Sequence, residues 1–301
     1  MRQLTFIACT VMLAACQPAA EPPKPAETEA PTVEMAAPVA TTATLASILA
    51  AQPEDVQARY AYRHPNETLE FFEIEPGMTV VEALPGGGWY TKVLLPYLGS
   101  DGHLIGANYP QGIWPLFGFF SAEAIEGMKT WVTDWPADAE EWRGDNGASI
   151  SAFEMGAMPA EVAGTADRVL LIRALHNLNR FEIEGGFRTT ALADTYNALK
   201  PGGIVGVVQH EARADKADDW ADGSRGYLKK ATVIEQFENA GFEFVGDIDV
   251  NQNPNDQPGD ADVVWRLPPS FNGVGENEEL RAELTAVGES NRMTLKFRKP
   301  E

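Results

Sequence analysis

The stretch TVVEALPGGGWYT occupies residues 79–91. Its first five residues are mainly β-branched and apolar, which is typical of a buried strand. Gly86, Gly87 and Gly88 follow, and they predict a tight turn from this strand into a helix that opens near Trp89. In a parallel sheet, ligands bind beyond the carboxyl ends of the strands, where glycines let the backbone approach a ligand closely. The stretch therefore predicts a ligand-binding turn at the edge of a parallel α/β sheet.

Short apolar runs alternate with helical patterns along the rest of the chain. One helical pattern covers residues 229–240, where Val233 and Phe237 share a face. Gly241 then ends the helix. Alternation of this kind predicts a mainly parallel sheet with helices on both faces. The predicted strands are residues 79–83, 103–108, 148–153, 168–173, 203–209 and 243–250, followed by a hairpin-like closing pair of 262–267 with 293–298.

Several short motifs lie on this framework. They are Arg63-His64-Pro65, PGMTVVE at 76–82, PGGGWYT at 85–91, Leu175-His176-Asn177, LKPGG at 199–203, HEAR at 210–213, Ala240-Gly241-Phe242, Asn253-Pro254 and WRLPP at 265–269. Together they resemble a bacterial family of predicted class I S-adenosylmethionine-dependent methyltransferases over about residues 46–300. The resemblance implies a Rossmann-like α/β fold with a mostly parallel seven-stranded sheet, an antiparallel closing strand and helices on both faces. It also implies S-adenosyl-L-methionine as the cofactor and a small molecule as the methyl acceptor.

The resemblance further implies a cofactor site around the glycine-rich turn and the ends of the next two strands. Its predicted residues are Glu82, Pro85, Gly86, Gly87, Gly88, Tyr90, Asn108 and Glu154. Two positions depart from the family pattern. Leu84 replaces the first glycine of an acidic-x-Gly-x-Gly-x-Gly motif, and Asn108 replaces an acid that accepts from the ribose hydroxyls. These departures leave a second function open, that of a diverged, non-catalytic ligand-binding lipoprotein that keeps the fold.

Two histidines are the candidate catalytic residues. Methyl transfer needs in-line positioning of the acceptor and sometimes a base for its proton. His176 follows the fourth predicted strand and His210 ends the fifth, at the ligand-binding edge, and the pKa of a histidine lies near neutrality. Asn177, Tyr62 and His64 are predicted to contact the substrate. A purely structural, hydrogen-bonded role stays open for each histidine. Because the histidines lack ligand spacing such as i, i+4, we predict no metal site.

The start of the chain resembles a bacterial lipoprotein signal peptide. Residues 4–13 are an uncharged, mostly apolar run after Arg2, too short to span a bilayer, and Leu13-Ala14-Ala15-Cys16 resembles a lipobox. We predict a signal peptide over residues 1–15 and a lipid anchor on Cys16 that holds the protein at the outer membrane, facing the periplasm. An ordinary signal peptide or a buried N-terminal helix is the alternative. Residues 16–44 are rich in Pro, Ala and Glu and predict a disordered tether to a domain over 45–301.

Charge and aromatic content bear on partners and ligands. The chain has 44 Asp plus Glu against 23 Lys plus Arg, a net charge of -21. Its field repels phosphate backbones, so we predict no nucleic-acid partner. Residues 109–142 contain four tryptophans and three phenylalanines. We predict an aromatic insertion that either packs as ordinary core or forms a lid or substrate pocket.

Overall fold

A computed structural model describes residues 44–301 of the chain. The predicted signal peptide, the lipidation of Cys16 and nearly all of the predicted tether lie outside these residues. No helix within the described part is long and apolar enough to cross a membrane.

Seven strands form one sheet in the order β3-β2-β1-β4-β5-β7-β6. They are β1 (Thr79–Ala83), β2 (His103–Asn108), β3 (Ser149–Glu154), β4 (Ala166–Ile172), β5 (Leu199–His210), β6 (Glu243–Ile248) and β7 (Arg292–Arg298). The first five strands pair in parallel, and β7 pairs antiparallel with both β5 and β6. This is a doubly wound strand order with an antiparallel strand inserted between the fifth and sixth. The prediction of a Rossmann-like, class I methyltransferase type of α/β fold is confirmed.

Helices cover both faces of the sheet. They are α1 (Leu45–Ala50), α2 (Glu54–Gln57), α3 (Tyr60–Arg63), α4 (Pro65–Phe71), α5 (Thr91–Leu98), α6 (Ala122–Gly127), α7 (Trp131–Arg143), α8 (Leu175–Arg180), α9 (Glu182–Gly185), α10 (Phe187–Ala198), α11 (Lys230–Asn239) and α12 (Glu278–Val287). Successive strand residues point to opposite faces. Val80 and Leu104 accordingly belong to one buried cluster, whereas Val81 and Ile105 belong to another. Two apolar layers therefore enclose the sheet, and they explain why its central strands are apolar at nearly every position.

The antiparallel strand determines what meets at the ligand-binding edge. Because β7 runs against β5, the first residue of β7 lies beside the last residue of β5, and Arg292 pairs with His210 in the ladder. The segment just before β7 therefore lies at the carboxyl edge of the parallel strands.

The predicted strand over residues 262–267 is wrong. Its centre forms a single 3₁₀ turn, Val264–Arg266, and β7 pairs with β5 and β6 instead. Pro268 and Pro269 follow directly and have no N–H to donate to a ladder. Arg266 is also held away from the sheet, because its guanidinium pairs with the buried Asp256 at 2.8 Å.

The aromatic insertion divides into two halves. In α7, Trp135 is buried and packs on the backbone of β2, where a Cβ added to Gly106 would lie 2.5 Å from the indole ring. This half is ordinary core. The first half, a 3₁₀ helix over Gln111–Phe117 and the residues after it, lines a cavity at the carboxyl edge of the sheet. The prediction of ordinary core packing therefore holds for the second half, and the role of the first half as a lid or substrate pocket stays a prediction.

Candidate functional site

The glycine-rich turn keeps a glycine-like backbone at all three motif positions. The φ angles of Leu84, Gly86 and Gly88 are 52°, 54° and 77°. Leucine avoids this left-handed region at a cost of about 1–2 kcal/mol, so the chain holds Leu84 in the conformation of the glycine it replaces. A Cβ on Gly88 would lie 2.3 Å from the ring of Trp142, so that glycine is required by close packing. Gly86 and Gly87 are exposed.

Glu82 faces the start of α5. Its buried carboxylate accepts a hydrogen bond from Thr91 Oγ1 at 2.7 Å, and burial raises the pKa of Glu82 to about 7. Tyr90 is also buried, which raises its pKa to about 12, and its ring contacts Trp89. Pro85 is buried in the same turn. These residues stabilise the turn and the start of the helix, and their roles in cofactor binding stay predictions.

The polar side chains at the ends of β2 and β3 have partners within the protein. Asn108 Oδ1 accepts from the backbone N–H of Tyr109 at 2.9 Å. The carboxylate of Glu154 accepts a hydrogen bond from Gln111 Nε2. Tyr109 itself is buried, and its hydroxyl donates to the carbonyl of Ala174 at 2.7 Å. Because Ala174 follows β4, the tyrosine ring crosses from the end of β2 to the end of β4, past the end of β1.

Beside Tyr109 lies a cavity of about 860 Å³, which we call the aromatic cavity. Its lining residues are Leu84, Tyr109, Trp114, Phe117, Phe119, Phe120, Arg173, Asn177, Arg180, Val263, Trp265, Ser270 and Asn272. Two buried polar atoms in this wall have no hydrogen-bond partner among the described residues, Asn177 Oδ1 and Trp114 Nε1. Buried polar atoms are nearly always satisfied in folded proteins. The cavity therefore offers both stacking faces and free polar atoms to a ligand.

A second cavity of about 240 Å³, which we call the cationic cavity, adjoins the first. The two share Leu84, Arg173, Trp265 and Ser270 in their walls. The other lining residues of the cationic cavity are Ile172, His176, His210, Val264, Leu267, Pro268, Pro269, Ser290 and Arg292. Both cavities lie at the carboxyl edge of the sheet, where the sequence predicted a ligand site.

The structure brings the two candidate catalytic histidines together. The rings of His176 and His210 have centroids 5.6 Å apart, and both side chains are buried. His210 Nδ1 lies 2.6 Å from Ser290 Oγ, whereas His176 Nδ1 is buried without a partner among residues 44–301. Burial lowers the pKa of His176 to about 4, and burial together with His176 and neighbouring arginines lowers that of His210 well below its usual value. Both imidazoles are therefore neutral at pH 7.

A buried cluster of arginines around one carboxylate lies beside the histidines. Glu289 pairs with Arg59 at 2.5 Å, with Arg63 at 3.2 Å, and with Arg292. Burial alone would raise the pKa of Glu289, but the three guanidinium groups lower it to about 2. Arg292 Nε also donates to Ser290 Oγ, so the cluster is joined to His210 through that hydroxyl.

This cluster, and Arg173 beside it, were not predicted from the sequence. Arg173 could have been found, because it stands at the end of β4 just before His176. Glu289, Ser290 and Arg292 gave no such signal, since their closeness to His210 depends on where β7 enters the sheet.

The predicted substrate residues are divided between sites. Asn177 lines the aromatic cavity, whereas Tyr62 and His64 line a separate cavity of about 220 Å³. That third cavity shares only Ser290 with the cationic cavity. Tyr62 and His64 therefore do not face the histidine pair. No group of three or more histidine, cysteine, aspartate or glutamate side chains within the described part of the chain is placed to hold a metal ion.

No protein-family model matches the chain, and no curated protein sequence matches it. Solved structures do resemble it. A SAM-dependent methyltransferase from Aquifex aeolicus is 15% identical, with a TM-score of 0.46 over 69% of this chain and 93% of that one. Geranyl diphosphate methyltransferase in complex with SAM is 14% identical, with a TM-score of 0.48 over 85% and 90%. The cyclase SpnF is 16% identical, with a TM-score of 0.46 over 79% and 80%. At such identities no activity is carried over from these proteins.

Proposed function

We propose that the protein is an S-adenosylmethionine-dependent methyltransferase that acts on a small molecule. The observation that supports this most is the pair of adjoining cavities at the carboxyl ends of β1, β2, β4 and β5. One has aromatic walls beside the glycine-rich turn, and the other contains two neutral histidines. A cofactor and an acceptor can thus meet at their junction, where Leu84 and Trp265 stand in both walls.

The aromatic cavity fits a nucleoside cofactor in position, size and chemistry. Its rings provide faces on which a purine can stack. Asn177 Oδ1 can accept from an amino or hydroxyl group, and Trp114 Nε1 can donate. When bound, the cofactor supplies an electrophilic methyl group on its sulfonium.

The histidines would orient the acceptor. A neutral imidazole nitrogen accepts a hydrogen bond from an O–H or N–H, and so fixes the direction of the acceptor's lone pair. Ser290 fixes the ring of His210, and Trp265 packs against His176 at a ring distance of 5.7 Å.

Calorimetric titration with S-adenosylmethionine and S-adenosylhomocysteine tests the proposal. We expect binding of both, and His176→Ala or His210→Ala should reduce turnover while cofactor affinity changes little. His103→Ala is the matched control, because His103 stands at the amino end of β2 and bonds Ser151. Absence of heat and of a thermal shift with either nucleoside would exclude the methyltransferase function.

A second candidate is a non-catalytic ligand-binding protein. It is favoured by the leucine side chain at the first glycine position, by the internal partners of Asn108 and Glu154, and by Tyr109, which is tied to Ala174. In that case the aromatic cavity would bind its ligand without a cofactor. Binding of an apolar ligand in the absence of any response to either nucleoside would support this function.

We also propose that the protein is lipid-anchored in the cell envelope through Cys16, on the side that faces the periplasm. The apolar run at 4–13 and the Leu13-Ala14-Ala15-Cys16 sequence support this. Cys16→Ser should release the protein from the membrane fraction. Unchanged membrane association of that variant would refute the anchor.

A further inference from the structure

The cationic cavity, lined by Arg173 and Arg292, and the arginine cluster beside it have more positive charge than the protein itself neutralises. Arg59, Arg63 and Arg292 share the single carboxylate of Glu289. Arg173 makes no side-chain hydrogen bond or ion pair with any described residue, although it lines both the cationic and the aromatic cavity. No aspartate or glutamate of the described chain lines the cationic cavity. Burial of charge without a counter-ion is costly, so this arrangement favours an anion that comes from outside.

The backbone conformation of Arg173 fixes the position of this residue. Its φ angle is 58°, in the left-handed region that side-chain-bearing residues avoid, and its N–H donates to the carbonyl of Val208 at 2.6 Å. Such backbone strain concentrates at functional sites, where it orients a group before its ligand arrives. Burial and the neighbouring arginines also lower the pKa of Arg173 to about 9, and Glu289 offsets this only in part.

The polar groups around Arg173 suit an oxyanion. Arg292 is buried and lines the same cavity, together with Ser290 Oγ and two neutral imidazoles that each have one N–H to donate. Guanidinium groups bind carboxylate and phosphate oxygens in a bidentate manner. With a volume of about 240 Å³, the cavity has room for one such group.

We propose that the cationic cavity binds the acidic group, a carboxylate or a phosphate monoester, of a ligand whose apolar body lies at the end of the aromatic cavity where Leu84 and Trp265 stand in both walls. The ligand is then an apolar or aromatic organic acid. The proposal rests on the proposed function only in that it identifies this acid as the methyl acceptor. Binding of the acid itself requires no cofactor.

Titration of the protein with three naphthalene probes, followed by tryptophan fluorescence and calorimetry, tests the site without cofactor. The probes are 2-naphthoate, 2-naphthyl phosphate and the neutral 2-naphthamide. We expect at least one acid to bind about tenfold or more tightly than the amide, as charge-assisted hydrogen bonds imply. The tighter of the two acids identifies the acidic group as a carboxylate or a phosphate.

Arg173→Gln should remove most of this preference and leave binding of the amide nearly unchanged. The variant should fold, because Arg173 has no partner to lose among residues 44–301. The matched control is Arg298→Gln, at the opposite end of β7 from Arg292, which should keep the preference. Equal binding of acids and amide by the wild type, no binding of either acid, or an unchanged preference in Arg173→Gln would overturn the proposal. The proposed function has a separate test, since it is refuted only if neither S-adenosylmethionine nor S-adenosylhomocysteine binds.

Discussion

Leu84→Gly tests how far the turn after β1 departs from a cofactor-binding turn. The substitution restores the glycine of the motif at a position whose backbone already has the glycine-like φ of 52°. It also removes the side chain that stands in the walls of both cavities. We therefore expect a small change in stability and a gain in affinity for the nucleoside.

The magnitude follows from three opposing contributions. Release of leucine from the left-handed region stabilises the variant by about 1–2 kcal/mol. The greater conformational freedom of glycine in the unfolded chain destabilises the variant by about 0.5–1 kcal/mol. Loss of a half-buried leucine side chain costs about half of the ~1.5–3 kcal/mol of full burial. The free energy of unfolding should therefore fall by no more than about 1.5 kcal/mol. Leu104→Gly, at a fully buried strand position, should cost about 3–6 kcal/mol.

Urea denaturation and titration with S-adenosylhomocysteine provide the two measurements. We expect Leu84→Gly to unfold near the wild type and to bind the nucleoside more tightly. If Leu84→Gly loses as much stability as Leu104→Gly, the leucine is an ordinary core residue and our account of the turn is wrong. Nucleoside affinity that stays the same or falls would show that the leucine does not limit the space for a cofactor.

Three further predictions concern the groups around the cavities. Glu289→Gln deprives the buried Arg63 and Arg292 and the half-buried Arg59 of their shared carboxylate, and it should cost about 3–5 kcal/mol in urea denaturation at pH 7. A loss below about 1 kcal/mol would show that these ion pairs do not stabilise the fold. Burial raises the pKa of Glu82 to about 7, so the folded protein binds the proton more tightly than the unfolded chain does. The resulting gain in the free energy of unfolding is fully present below pH 4.5 and is lost as the pH rises through 7. The wild type should lose up to about 3 kcal/mol over that range, and Glu82→Gln should lose much less; parallel pH profiles would refute this. Tyr109→Phe removes the 2.7 Å bond to Ala174 and should lower the free energy of unfolding by about 1 kcal/mol, while an unchanged urea midpoint would exclude that bond as a stabilising contact.

Local sequence patterns predicted most of the fold, because the apolar residues of each strand indicate which of its faces are buried. Val80 and Val81 point to different faces yet both are apolar, which indicates a strand covered on both sides. Six of the predicted strands, and the second member of the closing pair, lie within four residues of their observed bounds. The error at residues 262–267 arose because an apolar run also suits a cavity wall. Val264 and Trp265 line the cationic cavity and belong to no strand.

The candidate site was predictable only where it depends on parallel strands. His176 and His210 follow neighbouring parallel strands, so their closeness follows from topology alone. Arg173 follows β4, but Arg59 and Arg63 come from the segment before β1, and Arg292 comes from the antiparallel β7. Nothing in the local sequence of Glu289 or Arg292 indicates that β7 lies between β5 and β6.

The charge of the cavity and the charge of the whole chain have opposite signs, and the difference decides which anions can bind. The net charge of -21 repels polyanions over a distance comparable to the Debye length, about 8 Å at physiological salt. The cationic cavity acts only within contact distance, because Arg292 is buried and Arg173 is half-buried among apolar walls. A small acid has little charge for the negatively charged protein to repel, and it can then replace water around Arg173. A nucleic acid or an anionic membrane surface has many charges, and the protein repels all of those that come near it. Selection of small apolar acids therefore follows from the placement of charge, and it holds whether the protein transfers a methyl group to the acid or only binds it.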